Sequence, residues 1–97
     1  MIAQVFTTTA EASPQSEDMQ KWVQEIAEKQ RAVDGCEGIY ILGNPTGNDT
    51  LSFVIWRDEA AMKAASDQQA EDINEAKQQN RATVVDAPKV YAVVASA

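Results

Sequence analysis

The 97-residue chain is 44% hydrophobic and 24% charged, enough for one small core and too little for two, so a single domain over residues 1–97 is expected. Fifteen Asp and Glu against eight Lys and Arg give a net charge of -7, the wrong sign for counterion-release binding to nucleic acid. Histidine is absent, which removes the usual imidazole base, the usual zinc or haem ligand and every Ser-His or Cys-His nucleophile.

Residues 2–8, rich in β-branched and aromatic side chains, predict a first strand. Ser13 is the expected cap of the following helix, with Pro14 in its first turn and Glu17 and Asp18 where the helix dipole favours negative charge. Met19, Trp22, Val23, Ile26, Ala27 and Val33 recur at helical spacing and form one apolar face, with Gln30 as its one polar interruption. Lys21, Gln24, Glu25 and Glu28 form the solvated face, and Asp34-Gly35 ends the element, glycine entering the left-handed region.

Residues 38–43 and 50–57 read as the arms of a hairpin joined by the turn-rich segment 44–49. The second arm places Leu51, Phe53 and Ile55 on one face and Ser52, Val54 and Trp56 on the other. Asp58 is the expected cap of a second, alanine-rich helical region, with a break over 66–69 and a thin apolar stripe of Ala70, Ile73 and Ala76 beyond it. Residues 83–85 pair briefly, and residues 89–95 form a terminal strand after the turn at Asp86-Ala87-Pro88. The order β-α-β-β-α-β describes an α+β, ferredoxin-like domain: a four-stranded antiparallel sheet with both helices on one face.

The lone Cys36 has no disulfide partner and fits a reducing compartment. No basic leader precedes an apolar stretch, and no apolar run is long enough to span a bilayer, so a soluble cytoplasmic protein is expected.

A sheet covered on one side by helices should be polar at alternate positions on the other. Here both faces of the third strand are apolar, and the last strand offers Val90 and Val94 on one side, Tyr91 and Val93 on the other. A homodimer joined sheet to sheet is therefore expected, since large exposed apolar patches are unusual on monomers. The competing reading folds loop or C-terminal residues over that face.

Several segments together resemble the antibiotic biosynthesis monooxygenase family: the helix ending in Asp34-Gly35, the run Gly38-Ile-Tyr-Ile-Leu42, the stretch from Leu51 to Met62, and the final Lys89-Val-Tyr-Ala-Val-Val94. The most specific piece is the junction Trp56-Arg57-Asp58-Glu59-Ala60. The resemblance implies a dimeric α+β barrel of two ferredoxin-like subunits. It also implies either cofactor-free oxygenation of small aromatic or quinol-like molecules or, in one branch, haem cleavage. That haem branch places Trp and His where this chain has Ala65 and Glu75, so haem degradation is not expected. The quinone-forming members resemble this chain at Trp56, whereas their Asn and Tyr fall at Ser52 and Met62.

Trp56 is the leading catalytic candidate, its indole N–H orienting a carbonyl or phenolate beside a stacked ring; the competing reading is a core tryptophan. Tyr40, as a second catalytic candidate, and Tyr91, as a substrate-binding one, offer phenols from strands. Trp22, Ser52 and Met62 complete the expected substrate-binding set. Arg57 and Arg81 are the cations best suited to a pocket rim, though each better suits a surface ion pair. Cys36 reads as structural, and the acidic residues Glu71, Asp72 and Glu75 as a solvated face rather than a metal site. Two functions remain open: an oxygenase without metal or organic cofactor, and a non-catalytic homodimer that binds a small hydrophobic molecule.

Overall fold

In the computed structural model, which describes residues 1–10, 16–79 and 81–97, the chain runs β1 (Ile2–Thr9), α1 (Glu17–Arg31), β2 (Cys36–Gly43), β3 (Asp49–Trp56), α2 (Glu59–Ala64), α3 (Ser66–Gln78), β4 (Thr83–Val84) and β5 (Lys89–Ala92). The sheet order is β2-β3-β1-β4, with β5 also pairing with β1, and all pairs are antiparallel. β4 and β5 lie in succession along β1, opposite Thr8–Thr9 and Ile2–Val5 respectively. The brief pairing expected at 83–85 and the strand expected at 89–95 are both present, the first over Thr83–Val84 and the second ending early, at Ala92, with the expected turn at Pro88, which has no N–H to give to the ladder, between them. The fold is the expected ferredoxin-like α+β arrangement. No helix among the described residues is long and apolar enough to cross a membrane.

The cap of α1 is Ser16, in extended backbone, with its hydroxyl accepting from Met19 N at 3.4 Å; the expected cap Ser13 and Pro14 lie outside the described residues. Asp58 caps α2 as expected, its carboxylate accepting from Ala61 N at 2.8 Å. The helical break falls at Ala65, before the expected 66–69, and Ser66 Oγ donates to Lys63 O at 2.8 Å. Ala65 is buried in the core, and this anchor sets the bend; residues 66–69 form the first turn of α3. The apolar stripe expected on α3 is thinner still, because Ala70 is exposed and no residue of α3 is fully buried.

Gly35 has φ +82°, the left-handed conformation expected at the end of α1. It also approaches α2 so closely that a Cβ there would lie 2.4 Å from Ala61 Cβ. A bulge between Cys36 and Gly38 follows, turning the Cys36 side chain to the helix side.

The core is small: Phe6, Cys36, Val54, Trp56, Ala61 and Ala65, with Ile2, Val33, Ile39, Met62, Ile73 and Val84 packed around it. Trp56 is its only fully buried large side chain among the described residues. Alanines at 61 and 65 let the helical layer approach the sheet closely enough to seal that ring. Cross-strand registers put Gln4, Phe6, Ser52, Val54 and Trp56 on the helix side, and Val5, Tyr40, Leu42, Leu51, Phe53, Ile55 and Tyr91 on the other. Leu42, Leu51, Tyr40 and Tyr91 are exposed there. Nothing among the described residues folds over them.

Candidate functional site

Between the sheet and the helical layer lies an apolar cavity of about 160 Å³. Phe6, Ile39, Ile41 and Val54 form its apolar floor, Trp22, Ile26 and Gln30 of α1 one wall, and Gln69, Asp72 and Ile73 of α3 the other. An engineered dry cavity of about 150 Å³ accommodates benzene, so the space suits a compound of about one ring. Beside it, under α2, the space between the layers is filled by Trp56, packed with Ala61 and Ala65.

Two polar side-chain contacts tie α3 to the rest of the fold, and a third carries one of them on to the core. Trp56 Nε1 donates to Gln4 Oε1 at 3.0 Å, and Gln69 Nε2 donates to the same oxygen at 2.9 Å. Buried Gln4 therefore links the core tryptophan on the sheet to a cavity-lining residue of α3. At the mouth, Lys29 Nζ and Asp72 Oδ1 are 2.8 Å apart and bridge α1 to α3. The Asp72 carboxylate, by hydrogen bond and charge, holds the Lys29 ammonium above its ordinary pKa. Arg81 stacks over Trp22, its guanidinium carbon 5.5 Å from the ring centroid. On the floor, the hydroxyls of Thr8 and Thr50 bond to each other across β1 and β3.

Of the expected site residues, Trp22 and Ser52 line the cavity. Trp56 does not: it is fully buried beside the cavity and its N–H is already engaged by Gln4. It therefore reaches the cavity only through Gln4 and Gln69. Met62 packs against the core rather than the cavity. Tyr40 and Tyr91 are 65% and 55% exposed on the opposite face of the sheet, opposite Phe53 and Ala3 in register. Strand alternation forbids either phenol from entering this cavity in the single subunit. Arg57 sits 3.6 Å from Asp58 on the surface, away from the cavity, whereas Arg81 reaches its wall through Trp22.

Gln4, Gln30, Gln69 and the Lys29–Asp72 pair were not singled out as site residues by the sequence. A signal existed for two of them. Gln4 shares a strand face with Ile2 and Phe6, and Gln30 interrupts the apolar face of α1; each is a polar side chain at a position that burial demands be partnered.

The two positions compared with the haem branch do not fit that group. Ala65 is a small buried side chain, Glu75 is exposed, and the cavity has room for about one ring rather than a macrocycle. Among the described residues no group of three or more Cys, Asp or Glu could hold a metal ion.

The sequence profile described as antibiotic biosynthesis monooxygenase matches residues 1–84. No curated protein matches the chain in sequence. Among solved structures, a candidate antibiotic biosynthesis monooxygenase from Deinococcus radiodurans superposes with a TM-score of 0.75 at 20% identity, covering 100% of this chain and 96% of that one. Rv0793 from Mycobacterium tuberculosis gives 0.65 at 14% identity over 100% and 99% of the two chains. The monooxygenase of the ActVA-Orf6 gene of Streptomyces coelicolor, solved with nanaomycin D, gives 0.57 at 19% identity over 98% and 92%. At these identities the likeness establishes the fold.

Proposed function

Because the chain belongs to the antibiotic biosynthesis monooxygenase family, we propose that the cavity is a substrate site for cofactor-independent oxygenation of a small aromatic or quinol-like molecule. One observation carries this reading: a nearly apolar, ring-sized cavity lies between sheet and helices, with neutral amides and hydroxyls as most of its polar groups. In such chemistry the substrate supplies the electrons. A ring methylene and O2 give a ring carbonyl and water, one oxygen atom entering the product and the other leaving as water. The protein's part is desolvation of the substrate anion, orientation, and hydrogen bonds to developing charge. Trp56 serves as a positioning residue, fixing Gln4 and through it Gln69.

The second reading, a small-molecule binder without turnover, draws support from the ionisable groups. The lysine and aspartate on the cavity wall neutralise each other, and both tyrosine candidates lie on the far side of the sheet. Oxygen uptake with a panel of single-ring phenols and quinols, sized to the cavity, separates the two. Turnover is expected in the wild type, and Ile26→Trp, which fills the cavity, should lower it by at least about tenfold, an effect of about 1.4 kcal/mol on the barrier. Saturable binding without uptake across the panel would establish the binder and reject the oxygenase.

We also propose that the bare sheet face joins two copies, with Tyr40, Leu42, Leu51, Phe53 and Tyr91 at the contact. The apolar exposure of these neighbouring strands supports it. Sedimentation equilibrium should give twice the 10.6 kDa chain mass. The double variant Leu42→Lys/Leu51→Glu sets opposite charges across a register pair, which preserves strand pairing while wetting the face, and should give the single-chain mass. A single-chain mass for the wild type overturns the dimer. The buried free thiol of Cys36 suits a reducing, cytoplasmic setting.

A further inference from the structure

α3 is the wall of the cavity with the least holding it down. It contains no fully buried residue, and its apolar share of the lining is Ile73 and Ala76, against Trp22, Val23, Ile26 and Val33 from α1. Ile73 alone of its side chains packs against the core. Its two outside polar ties are Gln69 to Gln4 and Asp72 to Lys29. Both ends are lightly fixed. At the start, the break at Ala65 brings no side-chain cap to the first turn. At the far end the chain passes into β4, which pairs with β1 only opposite Thr8 and Thr9. A helix with few buried apolar contacts and short attachments is the kind of element that opens locally while the rest of a fold stays closed.

The groove between α1 and α3 is the outer part of the gap that holds the cavity, since Trp22, Ile26, Lys29, Asp72 and Ala76 line both. The Lys29–Asp72 pair crosses this gap, and no other side-chain hydrogen bond or ion pair joins α1 to α3 among the described residues. We propose that α3 is a lid: it swings outward about Ala65 to admit a ligand between α1 and α3, and the Lys29–Asp72 pair latches it shut; the inference rests on the cavity being a ligand site.

The positions of the ties suit this motion. Gln69 lies one turn beyond Ala65 and Asp72 two turns beyond it, so a helix pivoting at Ala65 displaces Gln69 little and Asp72 more. The Gln4–Gln69 bond thus belongs to the hinge and the ion pair to the moving part. The side chains of Lys29 and Asp72 are 57% and 26% exposed, so water and salt compete for the pair and it breaks and re-forms without a large barrier. At the far end the two-residue pairing of β4 is what yields.

The test is hydrogen exchange and stopped-flow kinetics on the full chain. In the wild type the amides of α3 and β4 should exchange together, at least about tenfold faster than those of α1 and β3. Asp72→Asn removes the charge and keeps the size; it should speed exchange in α3 by about two- to fivefold, the range for a partly exposed ion pair, and leave β3 unchanged. Entry is followed with nitrobenzene, a neutral single ring that quenches tryptophan emission, Trp22 standing in the cavity wall. In Asp72→Asn its association and dissociation rates should both rise by about two- to fivefold, with Kd shifted by less than about twofold, because the latch closes over the empty and the filled cavity alike. High salt should speed both rates in the wild type and not in Asp72→Asn. Glu25→Gln takes an acid from the groove without touching the latch and should leave both rates at their wild-type values. Unchanged rates in Asp72→Asn, a weaker affinity with an unaltered association rate, or α3 amides exchanging as slowly as those of α1 would each overturn the lid and leave the cavity a ligand site. Absence of saturable quenching in the wild type overturns the ligand site and the lid together.

Discussion

Trp56→Ala is expected to lower the stability of the domain by roughly 3–5 kcal/mol, the range for removing a fully buried aromatic side chain. The ring is wholly inaccessible and stands in register between Ile2 of β1 and Cys36 of β2, beneath the small residues of α2. Alanine there empties the centre of a core that has no other fully buried large side chain among the described residues. It also leaves Gln4 Oε1 with Gln69 alone as donor. For a domain whose total stability is of the order of 5–15 kcal/mol, this approaches unfolding. Trp56→Phe should cost less, roughly 1–3 kcal/mol, because most of the packing survives and only the indole hydrogen bond and part of the volume go. Urea denaturation monitored by circular dichroism measures both. Equal stability of Trp56→Ala and wild type would refute the placement of the ring at the core centre.

Gly35→Ala is expected to destabilise by roughly 2–5 kcal/mol, from two separable causes. A non-glycine residue at positive φ costs about 1–2 kcal/mol, and overpacking against Ala61 adds about 1–3 kcal/mol. Both apply here, since φ is +82° and the added methyl would fall 2.4 Å from Ala61 Cβ. The loop cannot simply retreat, because Gly35 O accepts from Arg57 N at 2.8 Å, and Arg31 Nη1 donates to Cys36 O at 2.7 Å. The double variant Gly35→Ala/Ala61→Gly removes the collision and keeps the backbone strain. Its loss should be smaller than the sum of the two single losses, with Ala61→Gly alone costing about 1 kcal/mol from helix propensity. Strict additivity in thermal or urea unfolding would mean that the two residues do not meet.

The order of elements was legible in the sequence because each is encoded locally. Alternation at 51–56 marks β3, helical spacing from Met19 to Ile26 marks α1, and Asp58 and Gly35 sit at boundaries where only their chemistry satisfies the backbone. The apolar character of both faces of β3 was equally plain, since side chains on a strand alternate whatever the partner strands are. Both pieces of the last strand were legible too, at 83–85 and after the turn at Pro88; that they lie in succession along one edge of β1 was not, since pairing depends on where β1 offers free edge groups. The cap of α1 also escaped, Ser13 and Ser16 both being suitable residues for it.

For the site, the sequence offered Trp22 and Ser52 as substrate-binding candidates, both of which line the cavity, and the family likeness singled out Trp56, but it could not say which side of the sheet the tyrosines faced. That is decided by register: Tyr40 stands opposite Phe53 and Tyr91 opposite Ala3, on the face away from the helices. The role of Trp56 turned on a contact across 52 residues to Gln4, a partner no local pattern predicts. What the sequence by itself determined is therefore the set of elements, the charge, the absence of histidine chemistry and the surplus of apolar strand surface, all properties of a residue and its immediate neighbours. The tertiary structure alone decided which polar side chains are partnered in the interior and that Gln30 is not, because burial and hydrogen bonding depend on distances between elements remote in the chain.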